Sequence, residues 1–316
     1  MTLPTMCHYA PPGEYIKDHT LLYHDGWWHL YSISGTQGYC HLYNGNEETI
    51  SWSISKNLVD WDFRGHVLHA SQRSGEFDQH EVWAPYCMAA NGQFYMFYTG
   101  IQHPIRPMCY QKLGHHHPHV VWDGHKETIG MAVSKDLTSW EKTANHETGI
   151  AIPGRDPHVV HDQQHNRWLL YSTGTTKDDH CEEYVSQSYD LHNWEFIGVC
   201  ASFPQDGFSY STTESICVLK HPLNGKWIMI GNRHYALSDN PTDFTNSQVH
   251  RIFGSGSEEK KRLSALGFAG EIIEWNGQWY RSGVLGVMDY WVLGFHAIEW
   301  EVDGAFRVTH PSIVKW

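Results

Sequence analysis

Five stretches decide how this chain reads: DGWWHLYSIS at 25–34, NGQFYMFYTG at 91–100, HNRWLLYSTG at 165–174, NGKWIMIGNR at 224–233 and NGQWYRSGVL at 276–285. Each is a polar turn followed by an alternating, aromatic-rich run. Asn-Gly and Asp-Gly pairs tolerate the positive φ angles of a tight hairpin, so such a pair ahead of alternating hydrophobics is a strong hairpin signal. A second apolar run precedes each turn: HTLLYH at 19–24, VWAPYCMA at 82–89, PHVVHD at 157–162, SICVLK at 215–220 and AGEIIEW at 269–275. A third element follows, a short strand ending in Ser with an aromatic six positions on. SKNLVDW (55–61), SKDLTSW (134–140) and SYDLHNW (188–194) are near copies; SDNPTDF (238–244) keeps the spacing, and the fifth unit has lost it.

Units of four antiparallel strands recurring along one chain describe propeller blades, and an atypical last repeat is expected where a ring closes. The expected fold is all-β: a five-bladed β-propeller with four antiparallel strands per blade. Residues 1–316 read as a single catalytic domain. Long helical periodicity is absent. The polar GSGSEEKKR stretch at 254–262 reads as a loop between the fourth and fifth units.

Composition narrows the function. A formal charge of −13 repels phosphate backbones and argues against nucleic acid as a partner. No stretch approaches the roughly 18 apolar residues of a membrane span. The first residues, MTLPTMCHYAPPGEY, carry neither a basic region nor an apolar core, and the seven cysteines form no CxxC pair. These features lead us to expect a cytoplasmic protein without a membrane partner. The 15 Trp and 17 Tyr are abundant. Most are assigned to packing between sheets; flat rings also stack on sugar faces.

In a propeller the first strand of each blade lines the central channel, and all first strands begin on one face. Asp18 (KDHTLLY), Glu81 (HEVWAPY), Asp156 (GRDPHVV) and Glu214 (TTESICVL) each stand a similar distance upstream of their turn. The repeat therefore predicts four carboxylates around one mouth. Clustered like charges keep one acid protonated while another stays ionised. Glycoside hydrolysis requires that pairing, a neutral acid on one side of the bond and a carboxylate on the other. Any one of these acids alone reads as a solvated strand end or a cation site; the convergence favours function.

At these residues the chain resembles the five-bladed propeller glycoside hydrolases of families 43, 32, 62 and 68. Gly154-Arg155-Asp156-Pro157 looks like the Arg-Asp-Pro motif of the fructosidase-like families. Val82-Trp83-Ala84-Pro85 looks like the Trp-Ala-Pro segment of arabinanases and xylosidases. The resemblance implies Asp18 as general base or nucleophile, Asp156 as transition-state stabiliser and Glu214 as general acid. It implies an oligosaccharide or glycoside substrate of the arabinan, xylan or fructan type. The chain departs from the pattern where His19 follows Asp18 in place of the usual Pro and where Ser215-Ile216 follow Glu214. No cofactor is required. The resemblance admits a structural calcium, but Gly267-Phe268-Ala269-Gly270 stands where arabinanase-like members place a metal-binding His, which argues against it.

Glu81 and Trp83 are expected on the pocket wall, with Arg155, Arg233 and His234 as further substrate contacts. His19 and His158 follow proposed catalytic acids, and strand alternation turns them away, so they read as supporting or substrate-contacting groups. The segment 101–127, holding His103, His115, His116, His117, His119 and His125, reads as a substrate-shaping lid. It lacks the ordered spacing of a zinc motif. The alternatives are a non-catalytic carbohydrate-binding propeller, or a propeller phosphorylase or lyase. A binding module has no need of three differently tuned acids, and a phosphorylase needs a basic pocket.

Overall fold

The computed structural model describes residues 8–39, 46–103, 125–175, 181–203, 214–252, 266–287 and 290–308. The twenty elements among the described residues are strands, in five four-stranded sheets whose strands follow chain order. The first sheet holds β1 (Glu14–His24), β2 (Trp27–Thr36), β3 (Thr49–Ser55) and β4 (Trp61–His69). The second holds β5 (Glu81–Ala90), β6 (Gln93–Gln102), β7 (Lys126–Ser134) and β8 (Glu141–Lys142), and the third β9 (Arg155–Asp162), β10 (Arg167–Thr175), β11 (Cys181–Ser188) and β12 (Glu195–Ser202). The fourth holds β13 (Cys217–Lys220), β14 (Trp227–Ile230), β15 (His234–Ser238) and β16 (Val249–Arg251). The fifth holds β17 (Ile272–Trp275), β18 (Gln278–Val287), β19 (Tyr290–Trp300) and β20 (Phe306–Val308). These antiparallel sheets are the five blades of a β-propeller, as the repeats predict. The fifth blade keeps its outer strand although it lost the Ser-to-aromatic turn.

The hairpin signals act through backbone angles. Asp25 and Gly26, Asn91 and Gly92, and Asn276 and Gly277 all have positive φ, the requirement of the two-residue turn. The Ser-to-aromatic turn is also a device. Ser134 Oγ accepts from the Leu137 amide at 2.9 Å, and Asp136 Oδ1 accepts from the Thr138 and Ser139 amides at 2.9 Å each. These amides hold the Asp136 carboxyl down at about 2. Ser188 and Asp190 repeat the pattern around Leu191. Leu58, Leu137 and Leu191, the central residue of each copy, take left-handed backbone, with φ of 59, 67 and 68°. Trp61 and Trp194 close two of the turns by donating to the carbonyls of Leu58 and Leu191.

Contacts divide the chain into two compact units. One comprises Tyr9–Pro157 and Gly286–Val292; the other comprises Met1–His8, His158–Leu285 and Leu293–Trp316. In the first, Tyr31, Ile33, Val82, Met96 and Tyr98 belong to a core between the first two sheets. In the second, Leu169, Tyr171, Val218, Met229 and Phe244 form the corresponding core. One hydrogen bond recurs between consecutive blades. The Tyr31 hydroxyl on β2 donates to the Leu137 carbonyl in the turn after β7, at 2.7 Å. The Tyr171 hydroxyl on β10 donates to the Pro241 carbonyl in the turn after β15, also at 2.7 Å. Both tyrosines are fully buried and occupy the same place in the repeat.

Removing either hydroxyl strands a buried carbonyl. Tyr31→Phe and Tyr171→Phe should each lower the unfolding free energy by about 1–3 kcal/mol, read as a fall in urea midpoint at constant slope. A midpoint unchanged in both would show that the tyrosine-to-turn bonds add nothing to blade stacking.

Candidate active site

The heads of the inner strands share an unusual conformation. Ala84, Asp156, Ser215 and Ala269 are non-glycine residues with φ of 42, 54, 54 and 49°. Left-handed backbone costs a non-glycine residue of the order of 1 kcal/mol or more and persists only where surroundings enforce it. Two of the enforcing contacts match. The Asp156 amide donates to Thr99 Oγ1 at 3.0 Å, and the Ala269 amide donates to Asn232 Oδ1 at 2.8 Å. Thr99 and Asn232 stand five residues after Phe94 and Trp227, which hold equivalent places opposite Ser134 and Ser238. The preceding blade thus supplies a polar side chain to fix the head of the next inner strand.

This frame sets the register of the candidate acids. Asp156 is itself the left-handed residue, Glu214 precedes one, and Glu81 lies three positions before Ala84. The sequence repeat suggested equivalent places for the three acids; the backbone puts them in three different ones, because distance from the turn does not count the bulges. Glu214 shares its place with Trp83 and Arg155. Asp18 lies within β1, which starts at Glu14, at the irregularity between Ile16 and His19.

Asp18 and Glu214 are half-buried, and Asp156 is 9% exposed. Arg155 reaches Asp156 Oδ2 with its Nε at 3.7 Å, and Glu127 Oε2 with its Nη1 at 3.3 Å. Glu81 is buried, with His103 Nε2 at 3.2 Å from its Oε2. Trp83 is half-buried. His19 is buried on β1. His158 is buried on β9 with its Nε2 2.9 Å from the Val218 carbonyl of the neighbouring inner strand. Arg233 is half-buried in the short β14–β15 connection, and its carbonyl accepts from the Ile252 amide at 2.8 Å. His234 is buried, its ring stacked near Phe203. Of the His-rich segment only His103 and His125 among its histidines lie in the described residues; 104–124 fall outside them, as does the 254–262 loop.

Several groups beside these acids escaped the sequence reading. Lys17, next to Asp18, places its ammonium 5.4 Å from the Trp83 ring centre and 5.5 Å from that of Trp291. It pairs with Glu47 at 3.2 Å, and the Tyr15 hydroxyl donates to the same carboxylate at 2.8 Å. Glu47 is fully buried. Burial pushes its carboxyl up, Lys17 pulls it back, and nearby Glu81 raises it again. The tip of the Tyr15 side chain lies against Gly35, where a Cβ would come 2.5 Å from it. Glu127 takes His125 on one oxygen at 3.2 Å and Arg155 on the other. Burial alone would raise the Glu127 carboxyl; His125 and Arg155 outweigh it and hold it below the usual range. An acid beside a loop carries no repeat signature; the only sequence signal was a lysine directly before a candidate catalytic aspartate.

Among the described residues no three His, Cys, Asp or Glu side chains group as a metal site. At the head of the fifth inner strand, Phe268, Ala269 and Gly270 offer no side-chain ligand for a cation.

The sequence profile of glycosyl hydrolases family 43 matches residues 30–193. The chain belongs to that family. A family-43 member should share the fold, and a thermostable family-43 glycoside hydrolase of known structure superposes over 96% of this chain and 95% of its own, with a TM-score of 0.67 at 18% identity. Two curated proteins are similar in sequence. A probable sucrose-6-phosphate hydrolase of Psychromonas ingrahamii is 25% identical over 210 residues, 63% of this chain and 34% of the relative. A levanase of Bacillus sp. (strain L7) is 26% identical over 200 residues, 59% of this chain and 19% of the relative. This family-43 chain thus spans about a third and a fifth of the length of the curated relatives it matches.

The family-43 scaffold buries His158 deeply enough to make it a pH reporter. Burial holds its imidazole down at about 4, from 6.5, although the bond to Val218 acts the other way. Between those values the unfolded chain binds the proton and the native protein does not. Stability from this group is therefore complete above pH 6.5 and is lost as pH falls towards 4. The loss amounts to about 3 kcal/mol at most. Urea unfolding at pH 7 and pH 4.5 should show a larger acid-induced loss in the wild type than in His158→Gln; parallel losses would mean that His158 titrates normally.

Proposed function

We propose that this protein hydrolyses a glycosidic bond, with Glu214 as general acid, Asp18 as base or nucleophile, and Asp156 as the carboxylate that steadies the sugar in an oxocarbenium-like transition state. The observation that carries the reading is the family-43 membership. The positions of the acids agree with it: Asp156 sits in left-handed backbone held by Thr99, Glu214 adjoins left-handed Ser215, and Arg155 stands beside Asp156. An enforced backbone fixes a carboxylate before substrate arrives, which transition-state stabilisation requires.

A fructofuranoside is the substrate class we favour. Arg155-Asp156-Pro157 supports it, and so do the two curated relatives, one named for sucrose 6-phosphate and one for levan. A pentoside of the arabinan or xylan type is the second reading, favoured by Trp83-Ala84-Pro85 and by the family profile. Lys17, the residue before Asp18, stands near the Trp83 and Trp291 rings, and an indole face suits the apolar side of either sugar.

Sucrose, levan, 4-nitrophenyl β-D-xylopyranoside and 4-nitrophenyl α-L-arabinofuranoside separate the two classes. On an unactivated linkage Glu214→Gln should lose about 10²–10⁴ in kcat with little change in KM, because Gln keeps the shape and cannot deliver a proton. With a nitrophenolate leaving group the loss should shrink. Asp18→Asn should show no such rescue. Equal losses for Glu214→Gln on both leaving groups would remove it as the acid. The anomer first released, followed by NMR, distinguishes retention from inversion.

A further inference from the structure

Asp156 takes a backbone conformation that its neighbour opposes. Its φ of 54° is left-handed, and Pro157 follows it. A proline ring pushes the residue before it towards extended backbone. Aspartate visits the left-handed region more readily than most residues, so the conformation is within reach and needs contacts to select it. One such contact is the hydrogen bond from the Asp156 amide to Thr99 Oγ1 at 3.0 Å. The backbone makes this bond, so it stands whatever the Asp156 carboxylate meets.

Thr99 is suited to be a fixed acceptor. It is fully buried in β6, with ladder partners on both sides, Trp83 on β5 and Ile129 on β7. Threonine is branched at Cβ, so few rotamers are open to it and the backbone of an inner-blade strand sets where its oxygen lies. Blade packing does not itself demand a hydroxyl at this place. Ile33, five residues after Trp28, holds the equivalent position on β2 and is also buried. Thr173 holds it on β10 and donates its hydroxyl to Glu183 Oε2 at 2.9 Å. The position accepts an apolar β-branched residue, and the oxygen of Thr99 answers to the head of the next inner strand.

We propose that Thr99 is a positioning residue of the reaction: its hydroxyl fixes the Asp156 backbone, and with it the place from which the Asp156 carboxylate meets the sugar. The inference rests on the assignment of Asp156 in the proposed function. A side chain swings with the φ of its own residue, so a loosened backbone misplaces the carboxylate. A group that steadies charge in the transition state has to be in place before the charge develops, since any reorganisation is subtracted from the stabilisation. Thr99 touches no reacting atom; it acts through Asp156.

Thr99→Val is close to isosteric and removes the acceptor. Its crystal structure should show the Asp156 φ outside the left-handed region, or the carboxylate displaced by about 0.5 Å or more. On whichever of sucrose, levan and the two nitrophenyl glycosides the wild type cleaves, kcat should fall about ten- to a hundred-fold, and by more than KM rises. Thr99→Ser keeps the acceptor oxygen and should lose less than about three-fold. Tyr31→Phe gives up a buried hydrogen bond elsewhere; it should fall in urea midpoint as Thr99→Val does and keep its kcat, which separates positioning from stability. If Thr99→Val does not fold, Thr99→Ala replaces it in each measurement. An Asp156 that keeps its φ and its carboxylate position in the variant would show that its other contacts suffice, and would overturn the proposal. So would wild-type kcat in Thr99→Val, or a loss in Thr99→Ser as large as that in Thr99→Val. Asp156→Asn at wild-type activity overturns the catalytic reading instead, and the Thr99→Val crystal structure then still reports whether Thr99 fixes the Asp156 backbone.

Discussion

A propeller blade cannot bury both of its faces alone, so everything here depends on how one sheet is fastened to the next. The tyrosine-to-turn hydrogen bond is that fastening. Tyr31 and Tyr171 each cross the gap between consecutive blades to reach a turn carbonyl, Leu137 in one case and Pro241 in the other. The acceptor is available because the Ser-to-aromatic turn satisfies its amides internally through Ser134 and Asp136. A buried carbonyl without a partner is costly, and a buried phenol equally so, and each resolves the other. In these two blade pairs the reach of one tyrosine spans the gap.

Once spacing is set, a side chain on one blade can shape the backbone of the next. Thr99 and Asn232 use it that way, accepting the amides of Asp156 and Ala269 and stabilising backbone that those residues would otherwise avoid. The strain sits at the heads of the inner strands. An ordinary extended head would point successive side chains to alternate faces; a left-handed residue breaks the alternation and re-aims what surrounds it. Acids around the first two blades meet nitrogen-bearing partners: Lys17 beside Glu47, His103 beside Glu81, and His125 together with Arg155 of the third blade beside Glu127.

The blades were legible in the sequence because the features that make them are local. An Asn-Gly pair fixes a hairpin within two residues, and Ser134, Asp136 and Leu137 fix a turn within four, so the pattern survives from copy to copy. The candidate acids were legible as residues near strand heads. Their register was not. A bulge at Ile16–His19 and another at Trp83–Tyr86 shift position relative to the turns, and a bulge is decided by packing against the next blade. Glu47, Lys17 and Glu127 stayed hidden for a related reason. Their partners Tyr15, Glu47 and Arg155 are brought to them from other strands, and no spacing along the chain announces a meeting between residues 127 and 155.

Gly35 shows how far such an arrangement extends from its visible parts. It has no side chain, and the Tyr15 ring occupies the place where one would be. That ring positions the Glu47 carboxylate, which positions the Lys17 ammonium, one residue from Asp18. The smallest residue of the second strand is thus mechanically linked to the neighbour of a proposed catalytic acid. In a saturation scan scored on turnover, position 35 would group with Tyr15, Glu47 and Lys17 and apart from its own strand neighbours. An engineer grafting this mouth onto another scaffold would have to carry across an empty volume as faithfully as any functional group.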